Sequence, residues 1–181
     1  MNDDVLWQLS AEHEIRKILA RYCHAVDRAD EELLRSVYHD GAFDDHSAFF
    51  RGPAAEFAPF CVRAMRERFA ATMHQASNVL IEVDGTGAAV QSSYLAANLL
   101  LGRAELHWYG GRYLDRFEHR DGAWRISHRL VLHDWDVRQA YEDPTPSSSG
   151  RNEGLRSTDD PSYEFFASFA AGRPWPARSG G

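Results

Sequence analysis

Asp27 and His74 are the residues whose chemistry departs most from their surroundings. Asp27 falls in the last turn of an amphipathic helix, at the edge of its apolar stripe. A carboxylate there opposes the negative end of the helix dipole. His74 opens a long strand and shares a face with Ala76, Asn78 and Leu80. Taken singly, each has an ordinary structural reading. Asp27 fits a solvated residue at a helix end or a cap for the next helix, and His74 fits a hydrogen-bonded histidine at a strand end. Taken together, they fit a general base and the carboxylate that orients it.

Other chemistries find less support. The chain has nine histidines, but no HExxH pair and no close His cluster with a third ligand. His128 and His133 lie five residues apart on a strand and so point to opposite faces. There is no GxSxG, no phosphate-cradling glycine loop and no dinucleotide fingerprint. Gly85-Thr86-Gly87 follows a strand and reads as a hairpin turn. No metal and no organic cofactor is expected.

The elements that must position the pair follow from periodicity. Ser10 is the expected N-cap of the first helix, in which Ile15, Ile18, Leu19, Tyr22 and Val26 form one apolar stripe. Asp30 caps a short second helix carrying Leu33, Leu34 and Val37. A short segment at Ala42–Asp45 follows, and Pro53 opens a third helix that runs to about Phe69. Past residue 71 the period drops to two, with Val79, Ile81 and Val83 in alternation. Three more strands are expected at Ala88–Leu101, Leu106–Arg120 and Trp124–Val137, turning at Asp84-Gly85, Gly102-Arg103 and Asp121-Gly122. Helices first and an antiparallel meander afterwards is the α+β pattern. Residues 1–140 read as one domain and 141–181 as a loop-rich tail. DPTPSSSG at 143–150 is a linker, Tyr163, Phe165, Phe166 and Phe169 form an aromatic patch fit to dock on the domain or a neighbour, and 172–181 fray.

Composition bounds the partners. The 181 residues are 44% apolar and 26% charged, a globular balance, and 20 basic against 27 acidic side chains give a net charge of −7. That charge argues against nucleic acid as a partner. No apolar run reaches the length of a membrane span, and the acidic N-terminus lacks a signal-peptide core. Two cysteines, Cys23 and Cys61, make no disulfide framework. The expectation is a cytoplasmic protein with reduced thiols.

Residues 18–30, ILARYCHAVDRAD, resemble the opening helix of SnoaL-like proteins of the nuclear transport factor 2-like superfamily. The resemblance continues at Gly52-Pro53, His74–Asn78, Val83–Gly85, Arg112–Asp115, Asp121–Ile126 and Arg129, so it spans residues 8 to 137. It implies a cone-shaped α+β barrel, in which three N-terminal helices pack in a strongly curved antiparallel sheet that encloses an apolar pocket. The match is similar in catalytic layout to hexachlorocyclohexane dehydrochlorinases and bile acid 7α-dehydratases. These use a histidine at the start of this strand and an aspartate near the end of the first helix, and the dehydratase adds a tyrosine five residues earlier. His74, Asp27 and Tyr22 stand at those positions. The dehydrochlorinase lysine has no counterpart near Ala20 or Arg21, and Arg129 is the basic residue that could replace it. Asn78, Trp108 and Arg129 are the candidate substrate-binding residues.

The chemistry asks for this set. Elimination needs a base for a carbon-bound proton, and an ordinary imidazole titrates near 6.5. A carboxylate on its other nitrogen would fix the tautomer, and Tyr22 could donate to a carbonyl or a leaving oxygen. The resemblance therefore implies a cofactor-independent lyase on a bulky, aromatic or polycyclic small molecule. It would lose water, halide or a fragment such as formaldehyde, in aromatic-compound catabolism. Two alternatives stay open: an isomerase or polyketide-type cyclase with a carboxylate base, and a non-catalytic binding or structural subunit. A homo-oligomer, dimer or trimer, joined through the convex sheet face is implied as well.

Overall fold

The computed structural model describes residues 2–142 and 154–173. In chain order the elements are α1 (Asp3–Arg28), α2 (Glu31–Ser36), β1 (Tyr38–Asp45), β2 (Arg51–Pro53), α3 (Ala54–Arg68), β3 (Phe69–Asp84), β4 (Gly87–Leu100), β5 (Glu105–Arg120), β6 (Ala123–Ala140) and α4 (Pro161–Ala170).

The α1 stripe is buried as its spacing predicts, but the helix begins a full two turns before Ser10. Asn2 caps it by accepting from the Asp4 N–H, and Asp3 and Asp4 place negative charge in the first turn. These residues continue the helix because nothing between 3 and 9 breaks it. The helix stops at Ala29, which adopts a left-handed φ of 51°. Alanine tolerates that conformation poorly; here the Ala29 and Asp30 amides close on carbonyls of the last turn, the latter on Ala25 at 2.9 Å. Asp30 then caps α2 by accepting from the Leu33 N–H at 3.0 Å, as its position predicts.

The sheet is curved and unclosed, in the order β2-β1-β6-β5-β4-β3. β3 to β6 form the expected antiparallel meander. Asp121 and Gly122 both take positive φ, 52° and 77°, as a tight two-residue hairpin loop requires. One pair departs from the expectation: β1 lies parallel to β6. The chain between them runs through α3 and the whole meander, the kind of long crossover that parallel pairing demands. α1 packs against β3 and β6, and α3 against β1, on the concave face.

The tail holds a helix where loop was expected. Asp160 caps α4, and its carboxylate also meets Arg28 at 3.1 Å and the Leu155 N–H at 2.7 Å. Burial works against the charge of Asp160, but the Ser162 hydroxyl, these amides and Arg28 outweigh it and hold the carboxyl well below its usual range. Tyr163 donates to Asp30 at 2.7 Å, so one member of the aromatic patch docks on the domain, while Phe166 and Phe169 stay exposed. The expected linker at 143–150 and the end of the frayed stretch, 174–181, lie outside the described residues. Among the described residues no helix is long and apolar enough to cross a membrane.

Candidate active site

Asp27 lies in the last turn of α1, which packs against β3. β3 is an edge strand, and edges leave alternate N–H groups without a ladder partner. The His74 N–H is such a group, and it donates to Asp27 Oδ2 at 2.8 Å. His74 Nδ1 lies 2.7 Å from Asp27 Oδ1. An ionised carboxylate only accepts, so Nδ1 donates and the proton sits there. That tautomer leaves the lone pair on Nε2, and His74 lines a cavity. The pair expected from the sequence is therefore assembled, at ordinary hydrogen-bond distance and nearly buried.

That cavity holds about 410 Å³, within the range of small-molecule sites. Its walls are mainly aromatic: Tyr22 from α1, Phe57 from α3, Phe49 from the loop after β1, Tyr94 from β4, and Tyr109 and Tyr113 from β5. Tyr94 stacks on Tyr113 with ring centres 4.8 Å apart.

A second histidine enters the cavity that the sequence reading passed over. His46 follows β1 and lines the same wall. Its Nδ1 meets Asp44 Oδ1 in a short contact, and its Nε2 lies 3.2 Å from the Tyr22 hydroxyl. Tyr38 donates to the other oxygen of Asp44 at 2.6 Å. The ring of His46 stacks on Phe57 at 4.7 Å. The signal was an acid two residues before a histidine, Asp44-x-His46, where β1 ends. Tyr22 thus has a hydrogen-bond partner inside the cavity.

The three expected substrate-binding residues lie elsewhere. Arg129 is 0% exposed and does not line the cavity. Its Nε and Nη2 grip both oxygens of Asp115 at 2.7 Å, and its guanidinium sits 4.0 Å from the Tyr22 ring and 4.1 Å from that of Tyr113. It is the support under the aromatic wall. Asn78 has a φ of 49° at a bulge between Ser77 and Leu80, and its side chain is exposed. The bulge reverses the alternation, so His74 and Ala76 face inward before it, and Val79, Ile81 and Val83 after it. Trp108 bonds Gln139 at 3.2 Å on the opposite face from its neighbour Tyr109, which takes the cavity position.

Burial, reinforced by Tyr113, pushes the Tyr22 hydroxyl well above its ordinary value, against the pull of Arg129. Tyr22 is thus a neutral hydroxyl able to donate at any working pH. Burial likewise pushes Cys23 up to about 11 and raises Cys61 further. Both are free, buried thiols. In the unfolded chain they ionise near 8.5, so stability is fully held below that pH and falls as pH rises from there toward 11. The expected result is slow reaction of native protein with a thiol reagent at pH 8 and reaction of both cysteines on unfolding. Among the described residues no group of three metal-ligating side chains is placed to hold an ion.

Residues 7–130 match the SnoaL-like domain. Comparison with curated proteins gives no match. Among solved structures, the hexachlorocyclohexane dehydrochlorinase LinA-type3 from Novosphingobium barchaimii is similar at 20% identity and a TM-score of 0.70, covering 77% of this chain and 99% of that one. A type 2 LinA dehydrochlorinase aligns at 19% identity and a TM-score of 0.69, over 79% and 98%. A candidate scytalone dehydratase from Novosphingobium aromaticivorans aligns at 20% identity and a TM-score of 0.66, over 81% and 97%. At these identities the likeness is one of fold.

Proposed function

Because this chain belongs to the SnoaL-like domain family of the nuclear transport factor 2-like superfamily, we propose that it is a cofactor-independent lyase whose base is His74. One observation carries the reading. Both oxygens of Asp27 are occupied by His74, which leaves Nε2 as the basic atom of a histidine that lines the aromatic cavity. His74 Nε2 takes a proton from a substrate carbon, the C–H electrons form the new double bond, and the leaving group departs from the neighbouring carbon. Asp27 holds the tautomer and stabilises the imidazolium that forms. The neutral Tyr22 hydroxyl donates to the departing atom.

The cavity's size and walls favour an aromatic or polycyclic substrate, as in aromatic-compound catabolism. The reading includes a cytoplasmic homo-oligomer, dimer or trimer. An isomerase with Asp27 as the base is less favoured, because both of its oxygens are taken up by His74.

The test is a panel of aryl β-hydroxy ketones and arylpropane-1,3-diols, with products weighed by mass spectrometry. Loss of water or of formaldehyde is the expected result. A product of unchanged mass would instead establish an isomerase. A bound but unconverted panel would leave a binding module.

A further inference from the structure

The elimination reading accounts for one buried His-Asp pair, and the cavity wall carries a second; the third lining histidine, His133, is half exposed beside Asp136. Asp44 is 0% exposed, and among the described residues its one ion-pair partner is His46. Arg129, in register with Asp44 on the neighbouring strand β6, gives Nε and Nη2 to Asp115 and leaves Nη1 without a hydrogen-bond partner. A buried carboxylate is stable when charged only beside a countercharge. Tyr38 supplies a hydrogen bond to Asp44 but no charge. Asp27 is placed differently. It takes a backbone N–H, and the guanidinium of Arg156, fixed at the carbonyls of Met65 and Phe69, attracts it. The two buried pairs thus sit in unlike surroundings.

We infer that His46, set between Asp44 and the Tyr22 hydroxyl, is the proton source for the leaving group and acts through Tyr22. This rests on the elimination reading above and adds its acid half. With both His46 nitrogens protonated, Nδ1 donates to Asp44 and Nε2 donates to the Tyr22 oxygen. The Tyr22 O–H is then free to turn into the cavity. When the carbon–oxygen bond of a substrate breaks, the departing oxygen takes the Tyr22 proton and leaves as water. Tyr22 recovers a proton from His46 Nε2, and His74 holds the proton taken from carbon. Solvent carries that proton back from His74 to His46, so each turnover consumes no acid or base. The loop holding His46 is tied for this role: the His46 N–H donates to the Phe50 carbonyl at 2.8 Å, and the Phe49 N–H to the His46 carbonyl at 3.1 Å. His46 is a positioning residue in this scheme, and Tyr22 is the group that touches substrate.

The test needs no natural substrate. In 1,2-benzisoxazole, removal of the C3 proton breaks the N–O bond and expels a phenolate. In 5-nitrobenzisoxazole the same step expels a stabilised phenolate with much less need of a proton. kcat/KM is measured on both for wild type, His46→Gln, Tyr22→Phe and His74→Ala, with thermal unfolding as the check on folding. His46→Gln and Tyr22→Phe should each lose on the order of 100-fold on the unsubstituted probe, and at least about tenfold less than that on the nitro probe. Tyr22→Phe keeps the ring in place and so carries the test if His46→Gln unfolds. Equal losses on both probes, or none, overturn the assignment of His46 while leaving His74 as the base. If His74→Ala loses nothing, or wild type turns over neither probe, the elimination reading falls and this inference with it.

Discussion

Replacing His74 with alanine lowers turnover by on the order of 10²–10⁴-fold, the usual contribution of a positioned base, and leaves the fold standing. The two effects separate because of where the residue sits. β3 is an edge strand, and its ladder with β4 is made by backbone groups that the substitution does not touch. The His74 N–H still reaches Asp27 in the variant, so the buried carboxylate keeps one of its two donors. The ring lines the cavity wall, so its loss enlarges a space that already exists. Circular dichroism and thermal unfolding close to wild type, beside the loss of rate, is the expected pattern.

Arg129→Met is expected to do the opposite. It breaks a pair in which both side chains are 0% exposed. Asp115 is left charged and unpaired in the interior, and the loss of one partner of such a pair costs about 3–5 kcal/mol. The Tyr22 and Tyr113 rings also lose the cation stacked between them. Denaturant titration should show that loss directly. The double variant Arg129→Met with Asp115→Leu should recover most of it, because no charge is then stranded. A single variant as stable as wild type would mean that the pair contributes no structural support. Asp115 and Arg129 are register partners on β5 and β6, which is why one substitution strains the wall on which Tyr113 stands.

The long elements were legible because local chemistry and tertiary packing agree in them. The α1 stripe and the alternation in β3 to β6 needed no long-range information, and the hairpins carry glycine or Asp-Gly where positive φ is required. His74 and Asp27 lie 47 positions apart, and nothing local joins them. The family resemblance did that. Three failures have physical causes. A bulge costs one residue, and Asn78 holds it with a left-handed backbone, so counting by twos from His74 put Asn78 on the wrong face. Trp108 and Tyr109 are adjacent aromatics on a strand, and only the register decides which enters the cavity. Arg129 reads as a free cation until Asp115 is found beside it on the next strand. His46 was hidden for the converse reason: nine histidines dilute the signal, and its partner Asp44 looked like part of a short connecting segment. The parallel β1–β6 pair, set by a crossover of most of the chain, had no local mark at all.

The central claim is that the proton leaves carbon for the imidazole of His74 rather than for a carboxylate. Side-by-side kcat/KM values for His74→Gln and Asp27→Asn on 5-nitrobenzisoxazole decide it. The glutamine has no basic nitrogen, and the asparagine can neither fix the tautomer nor balance the imidazolium. Both variants should fall at least about 100-fold below wild type. Wild-type turnover in His74→Gln together with an inactive Asp27→Asn would contradict the account and move the base to the carboxylate.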